Sequence, residues 1–224
     1  MNCSRHKADY ENDFRAEKLL YPEISQGPKF AIDSIAYYPI NKLFYIATTD
    51  WYLVGLMNSK LIWSYLFGIC SPLRGGEWRL ELRAQHVETV PIPDATDAQK
   101  KTLALLAQSA QRAAEQRRDL IRVFSRRILT DLAPGGASAK LPTKLAAWPG
   151  LDFKTFHEAV KKHFRQAIPL AERDDWQTLF EKNRKRVEEL DAAIAQCERQ
   201  IDEAVYKLFD LTPEQIELIE ESAG

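Results

Sequence analysis

The chain has 224 residues, 45% hydrophobic and 28% charged, with a formal net charge of -1 at pH 7. That length suits one large domain or two small ones, and the composition excludes a disordered or fibrous protein. The near-neutral charge argues against a uniformly basic nucleic-acid coat, although a recognition module needs basic residues on one face only.

Residues 1–15 are polar and read as a flexible N-terminal linker. Asn2 to Asp13 holds no apolar core of a signal peptide, so none is expected. Glu17 to Ile24 reads as a short strand stopped by Pro22. Phe30 to Asp33, Ala36 to Tyr38 and Lys42 to Ala47 read as further short strands, rich in aromatic and β-branched residues. Thr48-Thr49-Asp50 offers N-caps for a helix. Leu53, Leu56, Met57, Leu61, Tyr65 and Leu66 then recur near helical period, which predicts one helix ending by Gly68. The same spacing makes Trp51, Tyr52, Trp63 and Tyr65 packing residues rather than base-stacking platforms.

Glu77 to Arg83 alternates Trp78, Leu80 and Leu82 with charged residues, the period of a half-buried strand. His86 falls in a predicted loop. Val90-Pro91-Ile92-Pro93 cannot continue a ladder, so residues 16–95 form an α/β lobe.

Residues 96–224 read as a helical domain. From Asp97, the residues Leu103, Leu106, Ala110, Ala113, Arg117, Leu120 and Phe124 keep steps of three and four. A loop rich in Pro, Gly, Ser and Ala is expected at 133–150, followed by an amphipathic helix on Phe153, Phe156, Val160 and Phe164. Trp176 to Leu208 repeats the three-four alternation. Two such helices joined by an excursion predict a long antiparallel, coiled-coil-like hairpin. Thr212-Pro213-Glu214 opens a short last helix. The fold class is therefore α+β.

Catalytic signatures are missing from the sequence. There is no P-loop, no H-E-x-x-H, no G-x-S-x-G and no glycine-rich S-adenosylmethionine loop. Tyr38-Pro39-Ile40-Asn41 is only a superficial echo of an amino-methyltransferase motif. Cys3, Cys70 and Cys197 lie far apart, which fits reduced thiols in a cytoplasmic protein. His6, His86, His157 and His163 have no metal-ligand spacing, and no run of about 20 apolar residues could span a bilayer. No metal, no membrane partner and no catalytic residue are expected.

The most informative segment is Ser71-Pro72-Leu73-Arg74-Gly75-Gly76-Glu77-Trp78-Arg79. Adjacent glycines let the backbone turn sharply and approach a partner. Arginine forks suit guanine edges and phosphates. Arg117, Arg118, Arg122, Arg126 and Arg127, and Lys182, Arg184, Lys185 and Arg186, form basic runs with acids interleaved. Such runs are solvated helix faces or sequence-neutral phosphate contacts.

The motifs Leu20-Tyr21-Pro22-Glu23-Ile24-Ser25, Phe30, Asp33, Tyr38-Pro39 and Leu56-Met57-Asn58-Ser59-Lys60-Leu61 resemble the TaqI-like C-terminal specificity domain. Leu73-Arg74-Gly75-Gly76 and Val90-Pro91-Ile92-Pro93 do so as well. The tail from Ile201 to Ile216 resembles the end of large restriction-modification polypeptides, so the match is expected to run from about Leu19 to Glu220. The resemblance implies the target-recognition domain of a bacterial adenine-specific DNA methyltransferase or fused restriction-modification enzyme, non-catalytic by itself. It implies double-stranded DNA as partner, and a methyltransferase domain, with or without a nuclease, on the same or another polypeptide. S-adenosylmethionine would belong to that catalytic domain, and this chain would hold no cofactor. Arg74, Glu77, Trp78 and Arg79 are then the expected base readers, and Lys60, Ser71, Gly75, Gly76 and Arg83 the expected phosphate contacts. The competing expectation is a helical adaptor that docks a methyltransferase or nuclease subunit without reading bases.

Overall fold

The structure is a computed structural model that describes residues 12–37, 42–73, 79–134 and 140–222. Chain contacts divide it into two compact units, Met1–Ala110 with Gln196–Gly224, and Gln111–Ala195. Both divisions fall inside long helices rather than at a linker.

In the first unit, β1 (Lys18–Pro22) is the centre of an antiparallel sheet, flanked by β3 (Ala31–Asp33) and β4 (Leu43–Ile46). Leu19 pairs with Ile32 on one side and Ile46 on the other, and is fully buried. A second antiparallel sheet places β6 (Arg79–Glu81) between β2 (Ile24–Ser25) and β5 (Pro72–Leu73). The strand expected at Ala36 to Tyr38 does not form at Ala36 or Tyr37, and Tyr38 lies outside the described residues. Ala36 has φ 55, the left-handed region, which ends any extended run there.

Lys18 and Asp33 sit opposite one another in the β1–β3 ladder and form a buried ion pair at 2.8 Å. Lys18 also donates to the Phe14 carbonyl at 2.8 Å, which ties down a helical turn at residues 12–15 within the stretch expected to be a linker. Asp33 accepts the N–H groups of Ile35 (3.0 Å) and Tyr37 (2.7 Å). Burial alone would raise the Asp33 carboxyl, but Lys18 and the two amides outweigh it and hold the group below its ordinary value.

The single helix expected from Asp50 to Gly68 is two helices, α1 (Trp51–Met57) and α2 (Lys60–Ile69). The break has a local cause. Asn58 turns its amide away to clamp the Phe30 backbone, accepting at 3.0 Å and donating at 2.7 Å. Ser59, fully buried, is the N-cap of α2: its hydroxyl accepts from the Ile62 N–H at 3.3 Å and donates to the Leu56 carbonyl at 2.8 Å. Apolar spacing continues across the break, so periodicity alone reads it as one helix. Trp51, Trp63 and Tyr65 pack half-buried against the core and Tyr52 lies within it, as their spacing predicted.

His86 stands on a one-turn helix, α3 (Ala84–Val87), where a loop was expected. The helical part opens with α4 (Asp97–Leu132) and holds α5 (Thr143–Ala146), α6 (Phe153–Phe164), α7 (Arg173–Leu208) and α8 (Pro213–Ser222). Gly55 is where α1 crosses the start of α4: a Cβ there would meet the Leu103 side chain at 2.6 Å and its carbonyl oxygen at 3.2 Å. Leu103, Ala107, Ile201 and Val205 join the strands and α1–α2 in one core.

In the second unit α4 and α7 are antiparallel. Arg117 of α4 pairs with Asp191 of α7, and further along α4 Phe124 meets Trp176 and Phe180, earlier on α7. The fold class is α+β with an antiparallel helical hairpin. The expected loop at 133–150 contains α5 and a 3-10 turn, Trp148–Gly150, with residues 135–139 outside the described residues. Trp148 is fully buried, its ring centroid 4.4 Å from Phe124.

Candidate nucleic-acid interface

The β2–β6–β5 sheet decides which side chains share its outer face. Cross-strand partners point the same way, and successive residues alternate. Ser25 and Leu80 are paired and buried, so they face the core. Leu73 pairs with Arg79, and Ile24 with Glu81, which sets those four side chains on the opposite face. Arg79 is exposed, Glu81 half-buried and Arg83 exposed, with Leu80 and Leu82 inward between them. Arg83 donates from Nη2 to Glu81 Oε1 at 3.0 Å, and among the described residues Arg79 has no ion-pair partner. Leu82 donates its N–H to the Glu23 carbonyl at 2.7 Å, which anchors the end of β6 against the turn after β1.

Of the residues singled out in sequence, Arg79 lies on this face, Arg83 is exposed just beyond β6, and Ser71 is exposed just before β5. The Ser71 carbonyl accepts the Glu81 N–H at 3.4 Å, continuing the hairpin ladder. Arg74, Gly75, Gly76, Glu77 and Trp78 lie outside the described residues.

Lys60 is placed differently. It is the first residue of α2, and its ammonium forms an ion pair with Glu220 of α8. Its backbone N–H donates to Asp202 Oδ1 of α7 at 2.8 Å, so a carboxylate caps the positive end of α2. Tyr206 donates to Glu220 at 2.8 Å and completes the group. Burial pushes the Asp202 carboxyl up to about 6, against the pull of the Lys60 N–H and ammonium. The ion pair with Lys60 holds Glu220 below its ordinary value, and burial and the Glu220 contact raise the Tyr206 hydroxyl. Sequence reading missed this cluster, because Asp202 and Lys60 are 142 positions apart.

The Asp202 shift has a testable sign. Its folded value lies above the ordinary 3.8, so its contribution to stability is full below about pH 4 and is lost as pH rises through 6. The ceiling is about 3 kcal/mol. Asp202→Asn keeps an oxygen for the Lys60 N–H and removes the buried charge. In urea melts the variant should gain on the wild type between pH 5 and pH 8; an equal difference at both would contradict the assignment.

Burial raises the thiols of Cys70 and Cys197, both free, which makes them poor nucleophiles. Among the described residues no group of three or more His, Cys, Asp or Glu could hold a metal, and no helix is long and apolar enough to cross a membrane.

Residues 2–92 match the model of the TaqI-like C-terminal specificity domain. The first part of the chain is therefore similar to a specificity domain of that family. The match ends at residue 92, not near Glu220, and residues 96–205 instead match a domain of unknown function, DUF8810. No curated protein and no solved structure matches the chain.

Proposed function

We propose that the chain is the DNA-reading part of a restriction-modification adenine methyltransferase, with residues 16–95 as the recognition lobe and 96–224 as its helical companion. The observation that carries this reading is the coincidence of the specificity-domain match with the β5–β6 hairpin, which sets Arg79 on an outer face, with Arg83 just beyond β6 paired to Glu81 of that face. A two-stranded ribbon fits the major groove of duplex DNA, and arginine forks there donate to the O6 and N7 edge of guanine. Arg74, Glu77, Trp78 and Arg79 read bases in this scheme. Ser71, Gly75, Gly76 and Arg83 hold phosphates, with Glu81 orienting the Arg83 fork. Lys60 joins them only if a phosphate replaces Glu220 on its ammonium. Methyl transfer belongs to a separate domain or polypeptide, which binds S-adenosylmethionine; this chain performs no chemistry of its own.

The test is selection of duplexes from a randomised pool by the full chain, followed by competition with singly substituted sites. Arg74→Ala or Arg79→Ala should lower discrimination at one base pair by roughly 5- to 150-fold, the equivalent of about 1–3 kcal/mol, with helix content unchanged. Undiminished discrimination in both variants would remove the hairpin from the reading surface.

A further inference from the structure

The arginines of the long helices look like the basic surface of this chain in sequence, but most are neutralised in place. Within the second unit, Arg117 pairs with Asp191, Arg122 with Asp119 (3.4 Å) and Arg127 with Asp131 (3.2 Å). Arg118 pairs with Asp119 and Arg184 with Glu188, each at 3.6 Å, and Arg186 with Glu189 at 3.0 Å. Each pair is weak on its own, yet together the five acids offset most of the charge of these six arginines.

The excursion between the hairpin helices is different. Residues 140–165 hold six lysines and arginines against two acids. Lys140, Lys144, Lys154, Lys161, Lys162 and Arg165 are all exposed, and none makes an ion pair among the described residues. Of the two acids, Asp152 is occupied as the N-cap of α6, accepting the Thr155 N–H at 2.6 Å. The other, Glu158, is the one acid on the outer face of α6.

That face is built by helical spacing. Phe156, Ala159, Val160 and Phe164 are buried, which leaves Lys154, Lys161 and Arg165 on the opposite stripe with Lys162 beside them. Lys144 stands exposed on α5, which packs against α6. Helix stability explains part of this, since cations suit the last turn. It does not explain Lys154 in the first turn, where the helix end is positive. Nor does it explain Arg165, a C-cap with φ 56 where glycine carries no steric penalty. His157, on the same helix, is lowered by burial and then by the charges of Arg173 and Lys161, so the positive field reaches the ring.

We propose that this face of the excursion, with Lys154, Lys161, Lys162 and Arg165 at its centre, is a sequence-neutral contact for the phosphate backbone of duplex DNA. It is separate from the base-reading hairpin, and the choice of DNA as occupant rests on the function proposed above. Contacts of this kind fix register and supply affinity without sequence information.

The experiment uses the full chain and fluorescence anisotropy across a potassium chloride series, with one random-sequence duplex and one selected duplex. A variant carrying Lys154→Gln, Lys161→Gln, Lys162→Gln and Arg165→Gln is compared with a control carrying Arg118→Gln, Arg122→Gln, Arg127→Gln and Arg184→Gln. Far-UV circular dichroism checks that both are folded. The first variant should lose affinity for both duplexes by the same factor, and its salt slope should fall by about 0.9 for each phosphate it no longer neutralises. The control should change far less. Unchanged affinity and slope in the first variant overturn the proposal and leave the face to an acidic protein partner; an equal loss in the control overturns it too. If the wild type binds all duplexes alike and only the first variant weakens that binding, this phosphate-binding face stands and the base-reading proposal falls.

Discussion

Asp33→Ala is expected to cost the chain about 3–5 kcal/mol of stability, because it strands the Lys18 ammonium in the core. The two side chains are 1% and 2% exposed, so water cannot take over from the missing partner. The Ile35 and Tyr37 N–H groups lose their acceptor in the same step. Lys18→Met with Asp33→Asn removes both charges while leaving an oxygen for those amides. The double variant should therefore recover most of the loss, and a double-mutant cycle would show strong coupling. The acid limb has a defined sign as well: Asp33 is held below its ordinary value, so its contribution is present above about pH 4 and fades as pH falls below it. Chemical denaturation of the single and double variants checks the account, and additive losses would contradict it.

Trp148→Ala is the second large effect, again about 3–5 kcal/mol. The indole is fully buried, 4.4 Å from the Phe124 ring and 6.0 Å from Phe180, and its Nε1 donates to the Ser125 hydroxyl at 3.3 Å. Removing it opens a cavity that helices α4 and α7 cannot close without moving their own aromatic residues. The loss falls on the core shared by Phe124, Phe156 and Phe180 and not on the sheets of the other unit. Urea unfolding followed by circular dichroism measures it. A cost below about 1 kcal/mol would mean that Trp148 is a lid on that core and not part of it.

The contrast between these residues and the readable ones is physical. The three-four alternation through Val187, Leu190 and Ile201 is visible because a long helix shows the same face for many turns, and those residues are buried. Leu80 and Leu82 were legible for the same reason at period two. Trp148 was not: it is one large residue among Ala, Pro and Gly, and no repeat announces that it folds back onto α4. The break at Asn58 and Ser59 was hidden because Asn58 acts through hydrogen bonds to the Phe30 backbone and Ser59 through bonds to Leu56 and Ile62, while the apolar pattern runs on. Lys18 in a strand core depends on Asp33 across the β1–β3 ladder, and Asp202 at the start of α2 on Lys60, 142 positions away, pairings that no helix or strand period announces. For the interface, alternation placed Arg79 on the outer face of β6, and the acids interleaved on α4 and α7 announced paired arginines, since most of those pairs form within one helix.

The chain distinguishes one duplex from another, in this proposal, through the hairpin whose second strand opens with Arg79. Selection by the wild-type chain from randomised duplexes tests it most directly. Enrichment of one short sequence, abolished in Arg79→Ala or Arg74→Ala while overall binding survives, is the expected result. Recovery of an unenriched pool, or of no DNA above background, would contradict it and favour a helical adaptor for a catalytic subunit.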